Sequence, residues 1–172
     1  MGLFYVNVWV YDLAKSLFLD TLLCHGLVSA TKMRYQEGDI FIIPTEGKFA
    51  ICQIVFAPKG KFKQVIGFCV LFVKDNKVFK SDGVLRPLPI MDMGKEMKVI
   101  FTGNQNVKNG SWEIIGHTDL TEDKDELRIF NYAGGLYKGE EEIKRIPVSE
   151  YNNYTSMEVY GFELVNSLLA SL

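Results

Sequence analysis

Phe49-Ala50-Ile51-Cys52-Gln53-Ile54-Val55-Phe56-Ala57 is apolar on both alternating faces, with Phe49, Ile51 and Val55 on one and Ala50, Cys52, Ile54 and Phe56 on the other. A strand apolar on both sides belongs in the middle of a sheet that is covered above and below. The pattern returns after a basic loop at 58–63, in residues 64–73, where Gly67 marks a bulge or a close approach of a neighbouring chain. Upstream, residues 40–43 read as a short strand opened by Gly38-Asp39 and closed by Pro44, and Thr45-Glu46-Gly47-Lys48 is the turn out of it. Asp75-Asn76 makes a tight turn into Val78-Phe79. Such a hairpin series predicts an antiparallel meander or a small half-open barrel.

Further along, residues 81–95 carry Pro87, Pro89 and Gly94 and read as a long surface connection, with room for a short helix near Met91. Residues 97–102 form another strand, 103–110 a polar loop, and 112–115 a short apolar stretch before Gly116-His117. Residues 127–132 and Leu136-Tyr137 flank Gly134-Gly135, which predicts strands joined by a tight turn. Thr155-x-x-Glu158 has the form of a capping box. Beyond it Met157, Tyr160, Leu164, Val165, Leu168 and Leu172 recur at helical spacing, with Gly161 inside the run. The expected fold class is therefore α+β: mainly antiparallel β, a C-terminal amphipathic helix and an N-terminal helix. One domain spans 34–172, and residues 1–33 form an N-terminal extension. The apolar extension is interrupted by Asp12, Lys15 and Asp20, which argues against a membrane span, and no cationic stretch precedes it as in a secretory signal. Two expectations remain for it: an amphipathic segment that packs on the domain, or an initiator at Met33.

Composition narrows the function classes. The 172 residues are 48% hydrophobic and 23% charged, enough apolar surface to offset the entropy of folding. A net charge of −2 argues against a general nucleic-acid binder, which needs a dense basic surface. Cys24, Cys52 and Cys69 are odd in number, widely spaced and without a CxxC pair, so neither disulfides nor a thiolate zinc site is indicated. A reducing cytoplasm is the expected setting. Nothing resembles GxSxG, HExxH, a P-loop or GxGxxG, and His25 and His117 are too few for a histidine-rich metal centre. We expect no metal, no cofactor and no catalysis. Cys52 and Cys69 have little cationic company to depress a thiol pKa, which disfavours a cysteine nucleophile.

Trp112-x-x-x-Gly116-His117-x-Asp119 is the best remaining constellation. His117 and Asp119 fall on one side of a strand, where they could share a proton or a metal, with Trp112 lining a pocket. The plainer alternative is favoured: Trp112 fills the core, Gly116 permits a turn and His117 caps a loop. Charge is distributed unevenly. Between positions 56 and 80, six lysines (Lys59, Lys61, Lys63, Lys74, Lys77, Lys80) face only Asp75. Between 113 and 142, nine acids face only Lys124, Arg128 and Lys138. Ordinary solvated loops would explain this, as would an acidic face that steers a basic partner. The candidate partner-binding residues are Glu113, Asp119, Glu122, Asp123, Asp125 and Glu126.

Tyr35-Gln36-Glu37-Gly38-Asp39-Ile40-Phe41-Ile42-Ile43-Pro44 followed by Gly47-Lys48-Phe49-Ala50 is similar to the opening of the immunity 26 family. Ser111-Trp112-Glu113-Ile114-Ile115-Gly116-His117 and the Tyr-rich segment 151–160 also resemble that family, in the same order. The resemblance covers residues 34–172. It implies a cytoplasmic protein of a bacterial polymorphic toxin system, which binds a cognate toxin domain and blocks it sterically, without chemistry. The family also carries a phosphotriesterase-like label, so a small hydrolase is the alternative. An SH3-like binding module is a second, because glycine–aspartate turns open many such barrels. Gly38, Asp39, Trp112, Gly116 and His117 are the motif positions, and Asp39 is read as bonding within its own turn.

Overall fold

The two-sided apolar strands sit where their pattern requires. In the computed structural model, which describes residues 34–80, 83 and 85–172, Lys48–Phe56 (β2) lies between Asp39–Thr45 (β1) and Val65–Lys74 (β3). These antiparallel strands belong to a six-stranded sheet of order β12-β6-β3-β2-β1-β7, completed by Ile100–Gly103 (β6), Ile114–His117 (β7) and Val159–Tyr160 (β12). A second sheet of order β10-β9-β8-β11 is built from Ile129–Tyr132 (β8), Gly135–Lys138 (β9), Glu141–Arg145 (β10) and Thr155–Ser156 (β11). Ile90–Asp92 (β4) and Lys95–Met97 (β5) form a separate hairpin. Gln105–Lys108 (α1) and Glu122–Asp125 (α2) are single helical turns, and Phe162–Ala170 (α3) is the C-terminal helix. The class is α+β with mostly antiparallel sheets, as expected. The N-terminal helix, and both expectations for residues 1–33, fall outside the described residues.

Each face of the large sheet carries its own core. Ala50, Cys52, Ile54, Phe68 and Val70 point to one side, where Val165, Leu168 and Leu169 of α3 cover them together with Trp112 and Ile90. Ile51, Val55, Cys69 and Leu71 point to the other, against Phe130 and Tyr137 of the second sheet and Met157 just after it. Helix, sheet and sheet thus form three layers, and β2 is buried between them because its two faces are equally apolar. Cys52 and Cys69 are free and buried, and burial pushes both thiols above their ordinary pKa, so neither is a ready nucleophile.

One face assignment changes. Phe56 joins Ile51 and Val55, because the β2–β3 register shifts between Ile54 and Phe56. The extra residue turns Phe56 across the sheet. Gly67 lies opposite this bulge, where an added Cβ would stand 3.0 Å from both Phe56 Cβ and the Phe101 ring.

Several elements differ from expectation where non-local pairing overrides local pattern. Thr155-x-x-Glu158 starts no helix: Thr155 and Ser156 pair in parallel with Phe130 and Asn131, and Val159 and Tyr160 with Phe101 and Thr102. The chain crosses here from the second sheet to the first, so Met157 and Tyr160 are not helical. The helix begins at Phe162, with Gly161 in the extended conformation before it. Met91 lies in the β4–β5 hairpin rather than a helix, since Met93-Gly94 turns the chain back. Met97 ends β5, so the strand expected over 97–102 is two elements. The loop at 103–110 holds α1, while Val78-Phe79 has no strand partner among the described residues. Pro44 continues β1 to Thr45, since β7 has ended there and no bond to the proline nitrogen is needed. The β8–β9 turn is Ala133-Gly134, one residue earlier than expected.

Candidate functional site

Two motifs far apart in sequence meet at the β1–β7 edge. Antiparallel pairing sets Asp39 opposite His117. The His117 Nδ1 lies 2.8 Å from Asp39 Oδ1, and Nε2 lies 3.5 Å from Asp119 Oδ1. Asp39 Oδ2 also accepts from the Gln36 amide at 2.8 Å, so the aspartate bonds within its turn and to histidine at once. Gly38 is required beside them. Its φ is +91°, and a Cβ there would fall 2.6 Å from the Thr118 carbonyl and 2.7 Å from the imidazole. Gly116 makes no turn: it is a β7 residue paired with Ile40, because the strand continues to His117. Trp112 is core, stacked on Phe41 at 5.6 Å and edge-on to Phe162 at 5.5 Å.

The Asp39 carboxylate, with Asp119 beyond it, holds the imidazolium of His117 above its ordinary pKa of 6.5, against some loss of hydration. The folded state therefore binds this proton more tightly than the unfolded chain. The stabilisation is complete below about pH 6.5 and is lost as pH rises through the folded-state pKa. His117→Gln should flatten that part of the stability–pH curve, read as urea midpoints from pH 5 to 8. A curve of unchanged slope would show that the pair contributes nothing.

Next to this corner lies an acidic groove of about 610 Å³, lined by Glu37, Asp119, Leu120, Thr121, Glu122, Asp125, Glu126, Arg128 and Lys138. Its base is braced by ion pairs. Arg128 reaches Glu37 at 3.2 Å and Asp125 at 2.9 Å, and Lys138 reaches Asp125 at 2.7 Å. The Lys138 ammonium and Arg128 guanidinium hold the Asp125 carboxyl below its usual pKa, so it stays ionised. Asp119, Glu122 and Glu126 stand exposed along the groove. Four of the six acids singled out from sequence thus share one concavity. Asp123 faces Thr121 instead, whose hydroxyl bonds it and lowers its pKa. Glu113 lies apart, paired with Lys77 at 3.1 Å.

The groove's anchor is a residue counted in the sequence only as one of three cations among nine acids. Lys124 is 1% exposed, and its ammonium donates to Gln53 Oε1 in the middle of β2. Gln53 Nε2 in turn donates to the Thr118 carbonyl and hydroxyl, both at 2.8 Å. Burial lowers the Lys124 pKa. Gln53 interrupts an apolar strand, and that polar gap was the available signal. The two charged regions also meet: Glu140 accepts from the backbone amides of Lys59 and Gly60 at 3.0 and 2.8 Å, and Lys77 pairs with Glu113.

Among the described residues, no group of three or more His, Cys, Asp or Glu side chains is placed to hold a metal ion. No helix among them is long and apolar enough to cross a membrane. Compared with known proteins, the chain matches no family model, no curated protein and no solved structure.

Proposed function

We propose that this chain is an immunity protein of the immunity 26 type, which binds a cognate bacterial toxin domain in the cytoplasm and blocks it sterically. The observation that supports this reading best is the acidic groove: Asp119, Glu122 and Glu126 exposed beside a base fixed by Arg128, Lys138 and the buried Lys124. Carboxylates held on a rigid frame attract a basic partner from a distance and lose little freedom when it docks. A phosphotriesterase-like hydrolase draws less support. Both ring nitrogens of His117 face carboxylates, which favours a held imidazolium over a base free to accept a proton.

Co-expression is the direct test. The toxin domain encoded beside this gene should stop growth alone and be tolerated when this protein is present. Equal killing with and without it rules out the reading for that pair. Glu122→Lys/Glu126→Lys, at exposed positions, should fold normally yet slow association about tenfold or more at low salt, with the deficit shrinking as salt is added. Stopped-flow mixing at two ionic strengths measures it.

A further inference from the structure

Of the four edge strands in the two larger sheets, β10 is the longest and the most open: all five of its residues, Glu141-Glu142-Ile143-Lys144-Arg145, are exposed. Among the described residues its only strand partner is β9, so its outer row of backbone groups has no ladder. Its two acids come first and its two cations last, with Ile143, 52% exposed, between them. The register with β9 sorts them by face. Glu142 lies opposite Tyr137 and Arg145 opposite Gly135, on one face; Glu141 lies opposite Lys138 and Lys144 opposite Leu136, on the other. The bulge at Ile143 causes this, since one extra residue shifts the alternation. Each face of the edge therefore carries one acid and one cation.

A row of like charges would repel an identical strand in either orientation. Segregated charges do not: a parallel copy sets acid against acid, while an antiparallel copy sets acid against cation. We propose that β10 pairs antiparallel with β10 of a second copy of this chain, joining the two four-stranded sheets edge to edge about a two-fold axis normal to them. Such an axis keeps each face on its own side. Glu142 then stands across from Arg145 of the second copy, Glu141 stands diagonal to its Lys144, and the two Ile143 residues flank the axis. The in-chain partners of these side chains compete weakly. Arg145 lies 3.9 Å from Glu142 and Lys144 lies 4.0 Å from Glu150, long exposed pairs that contribute little. The Tyr137 hydroxyl fixes Glu142 through Oε2 at 2.9 Å and leaves Oε1 for a guanidinium. What the edge offers is backbone held in place by β9; the charges select the orientation rather than supply the affinity. A two-fold contact closes on itself, and the far edge of this sheet, β11, is only two residues long, so pairing stops at two copies. The toxin-binding reading is not needed for it.

Sedimentation velocity of the full chain at low salt, over about 5–500 µM, tests it. Two five-residue strands make a small interface, so monomer and dimer should exchange with a Kd on the order of 10–100 µM. Hydrogen exchange over 141–145 should slow at the upper concentration. Lys144→Glu/Arg145→Glu should weaken self-association about tenfold or more, and so should Glu141→Lys/Glu142→Lys. Mixed in equal amounts, these two charge-reversed variants should associate with each other at least as tightly as the original chain does with itself. Lys48→Glu/Lys98→Glu, exposed positions outside β10 with the same change in net charge as the first variant, should leave self-association within about twofold. Four results overturn the proposal: monomer alone at the highest concentration, self-association untouched by reversal of the β10 charges, equal weakening by the variant outside β10, or no association between the two reversed variants when urea unfolding shows both folded.

Discussion

Phe130→Ala should lower the free energy of unfolding by about 3–5 kcal/mol. Phe130 is fully buried in β8 and is the ring through which the second sheet reaches the first. It meets Phe101 at 5.2 Å and Phe56 at 5.3 Å, both edge-on, and stacks on Tyr137 at 5.8 Å. Phe62 closes the group at 6.0 Å. Truncation removes the transfer free energy of the ring and several favourable ring–ring contacts together. The space left cannot collapse easily, because its walls are large rings already fixed by one another and by the bulge that turned Phe56 to this side. Urea unfolding followed by tryptophan fluorescence measures the loss, and Phe72→Ala, at a partly buried position, is the smaller comparison. A loss under about 1 kcal/mol would show that the second sheet is not packed on the first as described.

The same cluster shows what was legible in the sequence and what was not. β2 and β3 could be read because every second residue on both faces is apolar, a signal carried by the strand itself. Their bulge could not, since one extra residue leaves the apolar run unbroken and shifts only which face Phe56 takes. The C-terminal helix was legible from Val165 and Leu168, but its start was misplaced. Thr155-x-x-Glu158 has the local chemistry of a cap, and what defeats it is pairing with β8 and β6, between 25 and 58 residues away. β4 and β5 were hidden because three-residue strands are too short to show a period.

The candidate site divides in the same way. Asp39 and His117 were both marked, each for its own motif, yet their contact spans 78 positions and exists only through the β1–β7 register. The acidic groove was legible as a charge imbalance and not as a shape. Composition counts carboxylates without separating Glu122 at its edge from Asp125 in its braced base, or from Glu113 outside the groove and paired with Lys77. The lysines between 56 and 80 were legible as a count, but not that Lys61 turns to the Tyr137 hydroxyl at 2.7 Å while Lys77 pairs with Glu113.

Lys124→Ala should cost about 2–4 kcal/mol and, unlike a core truncation of equal size, should act on the acidic groove. The substitution removes a buried four-carbon stem and leaves Gln53 Oε1 without its donor, deep in β2 where water does not reach it. It also releases α2, a single turn held by a few backbone bonds: the Lys124 and Asp125 amides to the Thr121 carbonyl, both at 3.0 Å, and the Glu126 amide to the Glu122 carbonyl. So few bonds cannot hold a helical turn alone. The exposed Glu122 and Glu126 are positioned by what their neighbour buries. Lys124→Met keeps the stem and drops the ammonium, so it should cost about 1–2 kcal/mol, chiefly the orphaned amide oxygen. Hydrogen exchange across residues 119–128 separates the two effects: fast in the alanine variant, intermediate in the methionine variant and slowest in the original chain. Association with the partner should weaken in that same order, although neither substitution alters an exposed residue. Exchange that stays unchanged in the alanine variant would mean that Arg128 and Lys138 alone hold the groove, and that the buried lysine serves only the core.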